Sequence, residues 1–438
     1  MAASSSQKIG LWTLIMLVTG NLVGSGVFML PATLAAFGSL CIGGWIATSI
    51  GAILLSLVFA GLSCRSPKTG GPHTYVYEAF GATAAFYTSW GYWVLSWVSN
   101  AALVVGAIGY ASSIVGGFSP LTTFFLEVFL ILSISIINLY GLQIAGRFEF
   151  IITIFKLIPL VVVPVIGLFT IDSHNFIPFN ATSGSAFSAL NTTALLALWA
   201  FIGLETGTVP GTDVDNPKKN IPRAILIGTL IAAFIYIIGT AVIMGVVPRD
   251  QLLASKAPYA DLATILFGGN WGIPVAIMGA VCCIGALNGW TMVVSRIALG
   301  AANDGLFPAI FKKETTSGVP LWGTIISSGC SIPFVALSMT PNLLDQFNFI
   351  IDFSLTLALV IYLTCIAAYF MILKKSGGLN KKETCIGVAA LTFSLWTLIA
   401  SSAVMLMWST LILIAGVPVW LWQKRQPNNK HTQSEFCA

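Results

Sequence analysis

Charge is what this sequence has least of. Only 8% of its 438 residues are Asp, Glu, Lys or Arg, against about 25% in soluble domains. That shortage excludes an ordinary solvated globular surface. Histidine is scarce too: the three residues, His73, His174 and His431, fall in loops or the tail. There is no HExxH pair, no Walker-type loop and no GxSxG elbow, so nothing signals a metallopeptidase, an ATPase or a hydrolase. The eight cysteines form no CxxC pair. Lying mostly in apolar segments, they read as small buried hydrophobes. No catalytic residue, metal or cofactor is expected.

What the chain has in excess is apolar sequence, at 57% of residues with a mean hydropathy of +0.91. Repeated apolar runs of roughly 20 residues define an all-α polytopic membrane protein. Residues 1–10 are short and polar. The apolar segment that follows is too long for a signal-peptide core and has no cleavage site behind it, so it reads as a retained first span. Twelve transmembrane helices are expected, at approximately 11–36, 40–63, 80–114, 120–140, 148–170, 188–211, 222–247, 272–299, 320–339, 347–373, 384–406 and 408–423.

The net charge of +5 does not suggest nucleic acid; its placement matters more. With the N-terminus in the cytoplasm, all of the 20 Lys and Arg fall inside except Arg249, Lys256 and the intramembrane Lys156. So lopsided a split sets the orientation, with both termini cytoplasmic. The breaker-rich connection 64–79 is read as a bent, partly re-entrant lead into the third span.

The first span is interrupted. Gly20-Asn21-Leu22-Val23-Gly24-Ser25-Gly26 places three glycines within seven residues, each costing a helix roughly 1 kcal/mol relative to Ala. In a bilayer, broken backbone persists only where protein or a cavity receives its freed groups. The sixth span repeats the feature in Gly203-Leu204-Glu205-Thr206-Gly207, with a carboxylate at mid-depth. Spans one and six open two five-span blocks, 11–170 and 188–373. Because five is odd, the second block enters the membrane inverted. Interrupted helices at corresponding positions of inverted halves point to the midplane site of a secondary transporter. Helices at 384–423 and a cytoplasmic tail at 424–438 lie outside this repeat.

Few intramembrane residues carry chemistry. Glu205 must be paired, cavity-facing or protonated, because a helix-centre carboxylate costs about 2.5–3.5 kcal/mol. Its bland alternative is a structural lock on the freed N–H groups of its own helix. Lys156 stands well inside span five and could place a cation where sodium-coupled transporters bind an ion, or could titrate. Tyr92, Ser96, Asn100 and Leu103 share one helical face. Trp199, Ile202 and Trp290 sit deep in their spans, where aromatic faces attract ammonium and guanidinium groups.

These motifs, with Asp215-Asn216-Pro217-Lys218-Lys219-Asn220-Ile221-Pro222-Arg223-Ala224 after span six and Ala301-Ala302-Asn303-Asp304-Gly305-Leu306-Phe307-Pro308 after span eight, resemble the amino acid–polyamine–organocation family over nearly the whole chain. Within it the chain is most similar to bacterial arginine/agmatine and ornithine/putrescine antiporters. The resemblance implies a LeuT-type 5+5 inverted repeat with broken helices 1 and 6, in the bacterial inner membrane. It implies a secondary active exchanger of a basic amino acid for its amine or another amino acid by alternating access, with a proton-coupled importer of broader range as the alternative. The expected partners are an amino acid or amine substrate and the lipid bilayer, and a homodimer is compatible with the reading. Substrate-binding residues carried over are Asn21, Val23, Gly24, Ser25, Gly26, Asn100, Leu103, Trp199, Ile202 and Trp290. Tyr92, Trp199 and Glu205 would gate, and Glu205 and Lys156 would couple. The chain departs from the arginine/agmatine pattern at Leu103, where a Met is usual, and at Lys156, where a small residue is usual.

Overall fold

The computed structural model describes residues 8–66, 70–140, 142–209, 214–336, 343–376 and 380–425. Lys68, Lys430, His431, Cys437 and the tail beyond Arg425 lie outside the described residues. Among the described residues there are seventeen α-helices, and ten helical stretches are long and apolar enough to cross a membrane. They are Leu11–Ala35, Leu40–Arg65, Ala82–Val115, Pro120–Leu139, Ile152–Thr170, Ala186–Thr208, Pro217–Val246, Gly272–Asn303, Phe347–Lys375 and Ala403–Arg425. The expected ninth and eleventh spans are helical but shorter or more charged. Leu321–Val335 has 15 residues, and Lys381–Leu398 begins Lys-Lys-Glu.

The outer surface is apolar where a soluble protein would be polar. On Pro120–Leu139, the residues Phe125, Phe129, Leu132 and Ile136 are all exposed. They recur at helical spacing on one face. That stripe and the exposed Val404, Met407, Trp408 and Leu411 form a surface that lipid can solvate and water cannot. The interior is apolar as well, with buried polar groups on most of the helices and Asn21, Ser25, Glu205 and Thr206 among them at the two helix breaks.

The first span is two helices, α1 (Leu11–Leu22) and α2 (Ser25–Ala35). Then come α3 (Leu40–Arg65), the short α4 (Pro72–Phe80), α5 (Ala82–Val115), α6 (Pro120–Leu139) and α7 (Leu142–Gly167). The second series opens with α8 (Ala186–Leu198) and its continuation as 3-10 turns to Thr208. It runs on through α9 (Pro217–Val246), α10 (Arg249–Ala254), α11 (Pro258–Phe267), α12 (Gly272–Asn303), α13 (Leu321–Val335) and α14 (Leu343–Lys375). Outside both series lie α15 (Lys381–Leu398), α16 (Ala403–Ala415) and α17 (Val417–Arg425).

Packing partners in the two series answer one another. α5 packs on α12 and α3 on α9; α1 on α9 is matched by α8 on α3, α5 on α14 by α12 on α7, and α4 on α14 by α11 on α7. The short helices α4 and α11 both begin with Pro and end on a glycine of nearly the same backbone shape. Gly81 has φ 81°, ψ −174°, and Gly268 has φ 70°, ψ −175°. A long membrane helix follows each.

Candidate functional site between the broken helices

The break in the first span occupies two residues. Val23 N–H still donates to Thr19 O at 2.9 Å, but Gly24 N–H turns back to Leu22 O at 2.9 Å. Gly20 O and its successors thereby lose helical partners, and three other helices supply replacements. Lys156 Nζ on α7 donates to Gly20 O at 2.6 Å. Trp290 Nε1 on α12 donates to Asn21 O at 3.2 Å. Tyr236 Oη on α9 donates toward Leu22 O at 2.7 Å and Ala200 O at 3.0 Å. The carbonyl end of a helix carries a partial negative charge, so a lysine is well matched to it.

The other side of the break is not satisfied. α2 starts at Ser25 with no side-chain cap. The N–H groups of Ser25, Gly26 and Val27 find no partner among the described residues, as expected of a first helical turn. Close by, Asn21 Oδ1, Ser25 Oγ and Ser99 Oγ are buried without a hydrogen bond. Buried polar atoms are normally paired, and these three oxygens can accept from polar ligand atoms.

The sixth span breaks opposite. After the turn Trp199–Phe201, Ile202 is extended and Gly203 adopts φ 115°. A side chain at 203 would be strained, and its Cβ would meet Trp290 Cζ2 at 3.0 Å. The two breaks are tied together. Asn21 Nδ2 donates to Thr206 Oγ1 at 3.1 Å, and Thr206 Oγ1 donates to Gly203 O at 2.5 Å.

Between them lies a small cavity of about 20 Å³. Asn21, Gly24, Ser25, Gly26, Leu103, Trp199, Ile202 and Trp290 line it, joined by Leu22, Ser99 and Ala200. Val23 and Asn100 do not. Val23 is buried in the break itself. Asn100 is buried behind the lining, its Oδ1 unpartnered. Ser99 and Leu103 are one turn apart on α5, which turns Asn100 about 100° away from the space.

Glu205 sits outside this lining, fully buried. Tyr92 Oη donates to its Oε1 at 2.8 Å and Tyr362 Oη to its Oε2 at 2.8 Å. Gly203 N–H adds a third bond to Oε2 at 3.2 Å. The carboxylate thus joins the broken sixth span to α5 and α14. Glu205→Gln replaces one acceptor oxygen with an NH2 group facing a tyrosine donor. A transport rate lower by about tenfold is expected, together with a changed pH–rate profile. A profile that overlays the wild type would leave Glu205 as a lock with no part in gating.

A chain of membrane-crossing helices, two of them broken on either side of one small cavity, is the architecture of a membrane transporter. The chain belongs to the amino acid permease family, whose sequence model matches residues 9–435. It is 31% identical over 419 residues to the putrescine transporter PotE of Haemophilus influenzae, covering 94% of this chain and 96% of that one. It is 31% identical to PotE of Escherichia coli K12, covering 85% and 86%. It is 34% identical to the cadaverine/lysine antiporter of the same strain, covering 74% and 73%.

Proposed function

We propose that the chain is a secondary active antiporter of the bacterial inner membrane. It exchanges a basic amino acid for its amine, or for another amino acid, by alternating access. The observation that carries this reading is the juxtaposition of unpartnered N–H groups at Ser25–Val27 with the rings of Trp199 and Trp290 across one small cavity. A helix N-terminus attracts a carboxylate, and an indole face attracts an ammonium group. Asn21 Oδ1 and Ser99 Oγ remain as acceptors for further N–H donors. Among the described residues no acidic side chain lines the space, so aromatic faces and neutral oxygens receive the cation. The names of the relatives, a putrescine transporter and a cadaverine/lysine antiporter, point the same way.

The architecture that fits is twelve spans in a LeuT-type 5+5 inverted repeat, with repeats at 11–170 and 188–373 and helices at 384–423 outside. The matched packing of the two series and the α4–Gly81 and α11–Gly268 correspondence support it. Both termini are cytoplasmic in this reading, on the strength of the Lys and Arg distribution. Trp199 and the Tyr92–Glu205–Tyr362 cluster sit where spans three, six and ten meet, and gate the site. A second reading, a proton-coupled importer of broader range, is favoured by Lys156, whose Nζ stands on a freed carbonyl of span one.

Calorimetry on the purified protein tests the substrate class. Lysine, ornithine and their diamines are expected to bind, and leucine to bind at least about tenfold more weakly. Trp290→Leu should weaken the cationic ligands by about 0.5–2 kcal/mol. Equal affinity for leucine and lysine in the wild type would refute the basic-substrate assignment.

A further inference from the structure

A second cavity, larger and more polar than the first, lies at the far end of α12. It has a volume of about 280 Å³ and is lined by Arg296, Asn303, Asp304, Glu314, Gly70 and Val209 among others. Arg296 is six residues beyond Trp290 on the same helix, or roughly 9 Å along its axis. The cavity also touches Val209, where the broken sixth span ends, and Gly70, whose N–H donates to Val209 O at 3.2 Å. It therefore stands directly in line with the central site, on the face that bears the ends of α12 and α4.

Its charges are unusual for a passage that a cation must cross. The Arg296 guanidinium, half-buried, makes no ion pair or hydrogen bond among the described residues. Gly300 and Asn303 follow it on one helical face, and Gly300 offers no side chain to cover it. Asp304 is held in place: His73, 1% exposed, approaches its Oδ2 through Nε2 at 3.1 Å. Among the described residues its other carboxylate oxygen and the carboxylate of Glu314 have no donor. A free guanidinium beside positioned carboxylates, across an open cavity, is complementary to a group carrying both charges. An α-amino acid head, with carboxylate and ammonium on one carbon, is such a group. A diamine is not, because it offers Arg296 only positive charge.

We propose that this cavity is a second substrate subsite, where Arg296 takes the α-carboxylate of an amino acid and Asp304 its α-ammonium. The inference rests on reading the chain as an amino acid/amine exchanger. It adds that the cytoplasmic approach to the central site distinguishes the two substrates by the one group that separates them. Lysine and cadaverine differ only in that carboxylate, so they are the matched probes.

The experiment measures exchange in inside-out vesicles, which present this face, and in right-side-out vesicles. Arg296→Gln is expected to raise the lysine KM at the inner face by about five- to tenfold, the loss of a charge-assisted hydrogen bond in a half-exposed site. The cadaverine KM there and the lysine KM at the outer face should stay at wild-type values. Arg296→Lys, which keeps the charge without the fork, should recover part of the loss. Equal rises for lysine and cadaverine would overturn the subsite and make Arg296 a structural or gating residue. So would an unchanged lysine KM in Arg296→Gln. Wild-type vesicles that exchange neither compound would refute the exchanger reading itself, which separates that failure from failure of the subsite.

Discussion

Lys156→Met should abolish substrate exchange across the acid to neutral range, in sodium-free and sodium-containing buffer alike. The side chain is 1% exposed, and its Nζ donates to Gly20 O at 2.6 Å. Methionine keeps the length and the packing but has no donor. Gly20 O would then be a buried acceptor without a partner, at a cost of about 1–3 kcal/mol, in a membrane interior where no bulk water can replace the lost bond. The loss also removes a favourable charge from the carbonyl end of α1. The break at Val23–Gly24 is shared between these carbonyls and the unpartnered N–H groups of α2, so a disturbance on one side displaces the other. On the proposal that Lys156 stands in for a bound cation, transport by the wild type should need no sodium. Full pH-responsive exchange in Lys156→Met, or sodium-dependent wild-type uptake, would contradict this. Exchange that survives while pH-gradient-driven uptake is lost would instead make Lys156 the proton carrier of the importer reading.

Gly26→Leu should reduce substrate affinity by about a hundredfold or more, while the protein still inserts and elutes as a monodisperse species. A Cβ at position 26 would already meet Ala200 Cβ and Trp199 Cδ1 at 3.0 Å each, and Ala200 Cα at 3.1 Å. The rest of a leucine has only the cavity to enter, where it covers the N–H groups of α2. Gly26→Ala should give a graded loss, because the sixth-span turn must give way by a few tenths of an ångström. Calorimetry against lysine checks both variants. Wild-type affinity in Gly26→Leu would remove the carboxylate site from 24–27.

The two breaks were legible because glycine clusters inside apolar runs leave few other readings. Gly24-Ser25-Gly26 and Gly203 each mark the residues where the helix stops. The partners of the freed groups were not legible. Tyr236 and Tyr362 carry much of the site's hydrogen bonding, yet each lies in a long, largely apolar helix. A tyrosine deep inside a span was the only available signal. Helical periodicity fixes angles between residues of one helix but not the rotation of that helix against its neighbours. That is why Asn100 was expected in the lining and Ser99 takes the place. The short α4 was foreshadowed by the breakers at 64–79, and its counterpart α11 became visible only through the matching glycines. The span count was least certain where composition shifts, as at Lys381–Leu398, whose first turn holds three charges.

The central claim is obligatory exchange through one site between the broken helices. Uptake of labelled lysine into proteoliposomes, with and without internal cadaverine or lysine, tests it most directly. The account predicts rapid uptake into loaded vesicles, close to none into empty ones, and no dependence on sodium. Equal uptake into empty and loaded vesicles, driven by a pH gradient alone, would contradict it.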